Sequence, residues 1–270
     1  MCKPVIKWVG GKRQLIDEIK KNLPKNFNRY FEPFIGGGAV FFALKRTDSV
    51  INDYNPELTN MYEVIRDTPE KLIKELQKHQ NNEEYYYKLR ALDRNPKQYA
   101  KLSKVERAGR FIFLNKTGYN GLYRVNKKGQ NNVPYGKYKN PTIFEENNIL
   151  ECSKLLQKTT ILTGDFENIK EHIKKGDFVY FDPPYVPLNT TSNFTAYTDK
   201  GFDDDMQFRL KELCDYIDRI GAYFLLSNSY TDFILDLYKD YNIVTVEANR
   251  AVNCKSTGRG KVKEVLVRNY

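Results

Sequence analysis

The chain has two histidines, His79 and His172, and four cysteines, Cys2, Cys152, Cys214 and Cys254, among its 270 residues. Neither type recurs at the spacing of a zinc site, which argues against metal chemistry, and unpaired thiols fit a reducing compartment. No apolar run approaches the roughly 20 residues that cross a bilayer. The N-terminus carries Lys3, Lys7, Lys12 and Arg13 but no apolar signal core, so the expected setting is the cytoplasm. Two common nucleotide-binding loops are missing as well. The Gly10-Gly11-Lys12 stretch has Ile6 and Arg13 where a Walker A loop needs Gly and Ser or Thr, and no GxGxxG occurs. Trp8, beside that turn, is the single tryptophan.

Acidic residues are in deficit. Lys and Arg total 44 against 34 Asp and Glu, a net charge of +10 and a pI near 9.2. An anionic partner is implied, with nucleic acid first. Twenty tyrosines and 16 phenylalanines supply rings for base stacking as well as for a core.

Against this background Phe178-Val179-Tyr180-Phe181-Asp182-Pro183-Pro184-Tyr185 stands out. Aromatic and β-branched residues predict a buried strand, and two prolines without amide hydrogens predict that it stops near Asp182. Ligands in open α/β sheets bind outside the carboxyl ends of strands. Consecutive prolines fix the backbone, so the Asp182 carboxylate and the Pro183 carbonyl can form two preorganised acceptors. Accepting both N–H bonds of an exocyclic nucleobase amine would aim its lone pair at an electrophile, while Tyr185 offers a stacking face.

A second strand-to-turn stretch, Arg29 to Phe42, contains Gly36-Gly37-Gly38, where backbone can approach a ligand closely. Ser49 to Asp53 follows as a strand ending in an acid 17 residues beyond Gly36, the arrangement that holds ribose hydroxyls of a nucleoside cofactor. Thr160 to Phe166 returns to strand character and ends in Gly164-Asp165-Phe166, an acid and an aromatic at a strand end suited to an adenine ring and its amine. Between these parts, Pro56 to Asn115 has helical periodicity. Asn115 to Lys139 then interleaves basic, aromatic and amide side chains around a Lys127-Lys128-Gly129 turn, as a DNA-groove hairpin would. Residues 186–201 read as a lid, Asp203 to Ile220 as a helix, Ala222 to Asn228 as another parallel strand, and Lys255 to Lys261 as a basic loop.

Trp-Val-Gly-Gly-Lys, Phe-Glu-Pro-Phe-Ile-Gly-Gly-Gly-Ala, Gly-Tyr-Asn-Gly-Leu-Tyr-Arg-Val-Asn, Asn-Val-Pro-Tyr-Gly and Phe-Asp-Pro-Pro-Tyr together resemble the Dam family of DNA adenine-N6 methyltransferases. In flavour the chain is similar to the methyltransferases of DpnII-type restriction-modification systems. Val9, where Ala or Thr is expected, and Asn189, where Ser is usual, are small departures. The resemblance implies an α/β, Rossmann-like fold, with residues 1–56 and 157–270 catalytic and an inserted, mainly helical target-recognition domain at 57–156. It implies S-adenosylmethionine as methyl donor, double-stranded DNA as partner and GATC as site. Trp8, Lys12, Phe34, Ile35, Gly36, Gly38, Asp53, Asp165, Phe166 and Asp182 are then expected at the cofactor. Asp182, Pro183, Pro184 and Tyr185 are expected at the flipped adenine. Lys7, Tyr119, Asn120, Leu122, Arg124, Pro134 and Tyr138 would face DNA, with Arg124 on guanine, and a monomer suffices if each strand is methylated separately. A cytosine-N4 methyltransferase, an RNA methyltransferase and a non-catalytic DNA-binding protein are the alternative readings.

Overall fold

The computed structural model describes residues 2–186, 202–249 and 261–270. Most of the expected lid, the basic loop from Lys255 to Gly260, Asn189 and Cys254 lie outside the described residues. Strands form where aromatic and β-branched residues run together: β1 (Tyr30–Glu32), β2 (Ser49–Asp53), β3 (Thr159–Thr163), β4 (Phe178–Phe181), β5 (Tyr223–Ser229), β6 (Asn242–Asn249) and β7 (Lys261–Arg268). They make one seven-stranded sheet in the order β3-β2-β1-β4-β5-β7-β6. β4 is parallel to β1 and β5, and β2 is parallel to β3. β7 runs antiparallel to both its neighbours, with Leu226 opposite Val267 on one side and Val244 opposite Leu266 on the other. This is the α/β, Rossmann-like architecture expected from the motifs.

The helices are α1 (Ile16–Lys21), α2 (Ala39–Leu44), α3 (Pro56–Asp67), α4 (Pro69–Leu76), α5 (Glu83–Arg90), α6 (Pro96–Tyr99), α7 (Lys104–Thr117), α8 (Glu146–Leu156), α9 (Asp204–Arg219) and α10 (Asp232–Leu237). None is long and apolar enough to cross a membrane, among the described residues. α1 closes at Lys21, and Leu23, beyond its end, is half-buried.

The described chain divides into two compact units. One comprises residues 2–11 and 35–165. Its central helix is α7, which starts at a reciprocal capping box between Ser103 and Glu106 and buries Ala108 and Phe111 to Leu114. A helix buried on so many faces needs apolar partners all round, and α3, α4 and α5 supply them. α3 begins with Pro56 at its first turn and the Asn55 side chain accepting from Glu57 N–H, so its start is fixed locally. The N-terminal segment is stitched to α8 by paired hydrogen bonds between Lys3 and Asn148 and by a 2.8 Å contact between the Cys2 and Cys152 sulfurs.

The second unit comprises residues 12–34, 166–186, 202–249 and 261–270. β4 is buried along its whole length, as a central parallel strand must be. α9, capped by Asp203, buries Leu210, Leu213, Cys214 and Ile217.

Candidate active site

The ladder of β4 ends at Phe181, so Asp182 is the first residue past the strand, where the following prolines can extend nothing. Its carboxylate receives the Lys12 ammonium at 2.8 Å, and the same nitrogen lies 4.3 Å from the centre of the Tyr185 ring. Lys12 is nearly buried, with 8% of its side chain exposed, so this pair is screened little by water. Burial raises the Asp182 pKa, while Lys12 holds it down and Glu264 adds to the rise. The Tyr185 hydroxyl donates to Glu264 Oε2 at 2.7 Å, which fixes the ring's tilt. Glu264 lies on β7, nearly eighty residues from Tyr185, and no local signal announced it. Pro184 offers its carbonyl to Gln207 at 3.4 Å, and Gln207 in turn accepts from Asn228 of β5. Phe34 stacks on Phe166 at 5.4 Å, with Phe202 against both rings and the Arg209 guanidinium 5.2 Å from Phe166. In this unit the structure therefore brings Lys12, Asp182 and Tyr185 together, and separately Phe34 and Phe166.

In the other unit Asp53 closes β2. Its carboxylate accepts from the Gly36 N–H at 3.0 Å and from the Asn55 N–H at 2.9 Å. Burial nevertheless raises its pKa to about 6. Gly36 and Gly38 both have positive φ, and a Cβ on Gly36 would meet the Trp8 indole at 2.7 Å. Tyr62 donates to the Gly36 carbonyl at 2.8 Å, locking the same turn. Ile35 is buried and anchored to Asn52, and the Asp165 carbonyl accepts from the Asn52 amide. These residues fit a nucleoside cofactor: a buried carboxylate, and side-chain-free backbone at the glycines. Tyr54, directly after the acid and 58% exposed, is a stacking surface that the motif reading passed over.

The basic ribbon follows α7 in the same unit. Its turn is closed by Asn126 and Gln130, but pairing is reduced to two single antiparallel bridges, Val125 with Asn131 and Gly118 with Tyr135. The regular hairpin predicted by the sequence is interrupted for a visible reason. Arg90 and Tyr86 take the Val133 carbonyl, Arg94 takes the Asn131 carbonyl, and Asp93 accepts the Asn131 N–H, so the return strand is held by side chains. Lys7 lies 5.1 Å from the Tyr138 ring and fills the space that a side chain at Gly121 would need. The Asn120 N–H donates to the Tyr138 hydroxyl, and the Tyr119 N–H to the Pro134 carbonyl. Tyr119 is exposed, and Arg124 is exposed with its Nε on Asn132 Oδ1 at 2.7 Å. The structure thus gathers Lys7, Tyr119, Asn120, Pro134 and Tyr138, with Leu122 and Arg124 on the next stretch of backbone.

Comparison with known proteins agrees with this chemistry. The model of the D12 class of N6 adenine-specific DNA methyltransferases matches residues 8–252. The type II methyltransferase M1.LlaDCHI of Lactococcus lactis subsp. cremoris is 48% identical over 272 residues, covering 99% of this chain and 95% of that protein. The type II methyltransferase M.MjaIII of Methanocaldococcus jannaschii is 46% identical, covering 99% of each. A DNA adenine methylase of Vibrio cholerae is 33% identical, covering 97% of this chain and 94% of that protein. The chain belongs to the D12 class of N6 adenine-specific DNA methyltransferases, enzymes whose methyl donor is S-adenosylmethionine.

Proposed function

We propose that this adenine-N6 DNA methyltransferase acts on the adenine of GATC in double-stranded DNA after turning that base out of the helix. The observation that carries the reading is Asp182, placed at the end of β4 by the two prolines and paired with Lys12, which opposes the effect of its burial. In this reading the Asp182 carboxylate and the Pro183 carbonyl accept the two N6 hydrogens, and Tyr185, held by Glu264, stacks on the base. As positive charge develops on nitrogen, Asp182 stabilises it and takes the departing proton, a task that its raised pKa suits. Bound S-adenosylmethionine supplies an electrophilic sulfonium methyl. Asp53 is assigned to the cofactor's ribose, and Trp8, Lys12, Phe34, Ile35, Gly36, Gly38, Asp165 and Phe166 to the rest of that site.

Residues 57–156 are proposed as the target-recognition domain, with residues 1–56 and 157–270 catalytic. Lys7, Tyr119, Asn120, Leu122, Pro134 and Tyr138 contact DNA, and Arg124 reads guanine by a bidentate contact. The enzyme works as a monomer, one strand at a time. Similarity to proteins named type II methyltransferases supports a protective role alongside a restriction nuclease. The test is protection of a plasmid from a GATC-cutting nuclease that N6-methylation blocks. Full resistance after incubation with the enzyme and donor supports the site; continued cutting, with label still incorporated, places the methyl group elsewhere.

A further inference from the structure

Leu122 has extended backbone, with φ −70° and ψ 149°, and side chains of neighbouring extended residues leave on opposite sides. Arg124 is exposed, whereas the Tyr123 ring stacks on Trp8 at 5.8 Å and 20° and lies 5.1 Å from Phe111. Trp8 is the residue that packs on Gly36 and Gly37, where an added Cβ would meet the indole at 2.7 Å and the Trp8 Cβ at 2.9 Å. The phenol end of Tyr123 reaches Asn55, whose side chain offsets part of the burial that drives the hydroxyl pKa up. Asn55 donates its N–H to Asp53 and caps α3 through its side chain. One ring therefore stacks on Trp8, behind the glycine turn, and turns its hydroxyl towards Asn55, behind the acid.

We infer that Tyr123 is a positioning residue that couples target recognition to cofactor affinity. The inference rests on the proposed assignment of the ribbon to DNA and of Asp53 with the glycine turn to the cofactor. A duplex that fixes Leu122 and Arg124 fixes the residue between them. Trp8, Asn55 and the turn they brace are then ordered once for both ligands, so the second ligand bears less of the ordering entropy. Coupling of this kind is reciprocal: the factor by which DNA tightens the cofactor is the factor by which the cofactor tightens DNA.

The experiment is titration calorimetry of the full chain with S-adenosylhomocysteine, which cannot donate methyl, alone and with a saturating duplex containing one GATC. The wild type is expected to bind the analogue about 5- to 150-fold more tightly with the duplex present, the range typical of such coupling. Tyr123→Leu is expected to bind each ligand alone but to hold the factor below about twofold, while Tyr123→Phe, which keeps the ring, retains most of it. An unchanged factor in Tyr123→Leu, or none in a wild type that binds both ligands, overturns the inference. Failure of the wild type to bind the duplex in the DNA titration alone is instead failure of the functional reading. Should the Leu variant not melt cooperatively, wild-type emission decides, because Trp8 is the only tryptophan. A GATC duplex must change it without cofactor, more than a duplex lacking GATC at the same occupancy; equal or absent changes overturn the inference.

Discussion

Lys12 Nζ lies 2.8 Å from Asp182 Oδ1 and 4.3 Å from the centre of the Tyr185 ring, so one nearly buried cation serves both ends of the Asp-Pro-Pro-Tyr motif. Burial alone would favour a neutral Asp182, and Lys12 opposes it. Lys12→Met is therefore expected to raise the Asp182 pKa further. The acid limb of the pH–rate profile should move to higher pH, with turnover at pH 7 down by about 100-fold or more if proton acceptance is lost. An acid limb that stays in place would remove Lys12 from the control of Asp182.

Asp53 makes a prediction about stability. Its folded pKa, about 6, stands above the ordinary 3.8 because the group is buried, so the folded chain holds the proton more tightly than the unfolded one. The stability due to that proton is complete below about pH 4 and is lost as pH rises through about 6. Asp53→Asn removes the dependence, and should gain on the wild type by about 2 kcal/mol between pH 4 and pH 7.5 in urea denaturation. Parallel pH curves for the two proteins would contradict the buried-carboxylate account. Cofactor binding by the wild type should weaken below pH 6, because the neutral acid loses acceptor strength.

Arg124 and Lys7 separate base reading from phosphate neutralisation. Arg124→Ala is expected to lose about 1–3 kcal/mol of discrimination at one guanine. Lys7→Ala should weaken all duplexes alike and reduce the salt slope by about one. A panel of single-base GATC variants, titrated at several salt concentrations, distinguishes the two. Unchanged site preference in Arg124→Ala would refute its assignment.

Glu264 should matter through Tyr185. A hydrogen bond to a charged acceptor contributes about 1.5–3 kcal/mol, so Glu264→Ala is expected to slow methylation by about 10- to 100-fold, and Glu264→Gln, which keeps an acceptor, by much less. The Gln variant also removes a negative neighbour of Asp182, so its acid limb should move to lower pH. Wild-type rates in Glu264→Ala would show that the contact with Tyr185 is idle.

The legible parts of this chain were those encoded locally. Phe178 to Tyr185 announces its own strand and its own end, and Ser49 to Asp53 does the same, because β-branched runs, prolines and a terminal acid act over a few residues. Contacts made across the sequence were not legible. Nothing near Glu264 points to Tyr185, and the place of β7 between β5 and β6 reverses chain order. The ribbon shows the same limit: its turn residues predict a hairpin, but Arg90, Asp93 and Arg94 come from another helical segment and replace ladder bonds. Tyr123 sat in plain view among basic and aromatic neighbours, and only the stacked Trp8 ring distinguishes it from them.

The most direct measurement is incubation of the purified chain with methyl-labelled S-adenosylmethionine and a duplex containing one GATC, beside a matched duplex without it, followed by identification of the labelled nucleoside. N6-methyladenine is expected in the first duplex and background label in the second. Label on cytosine, or equal label in both duplexes, would contradict it.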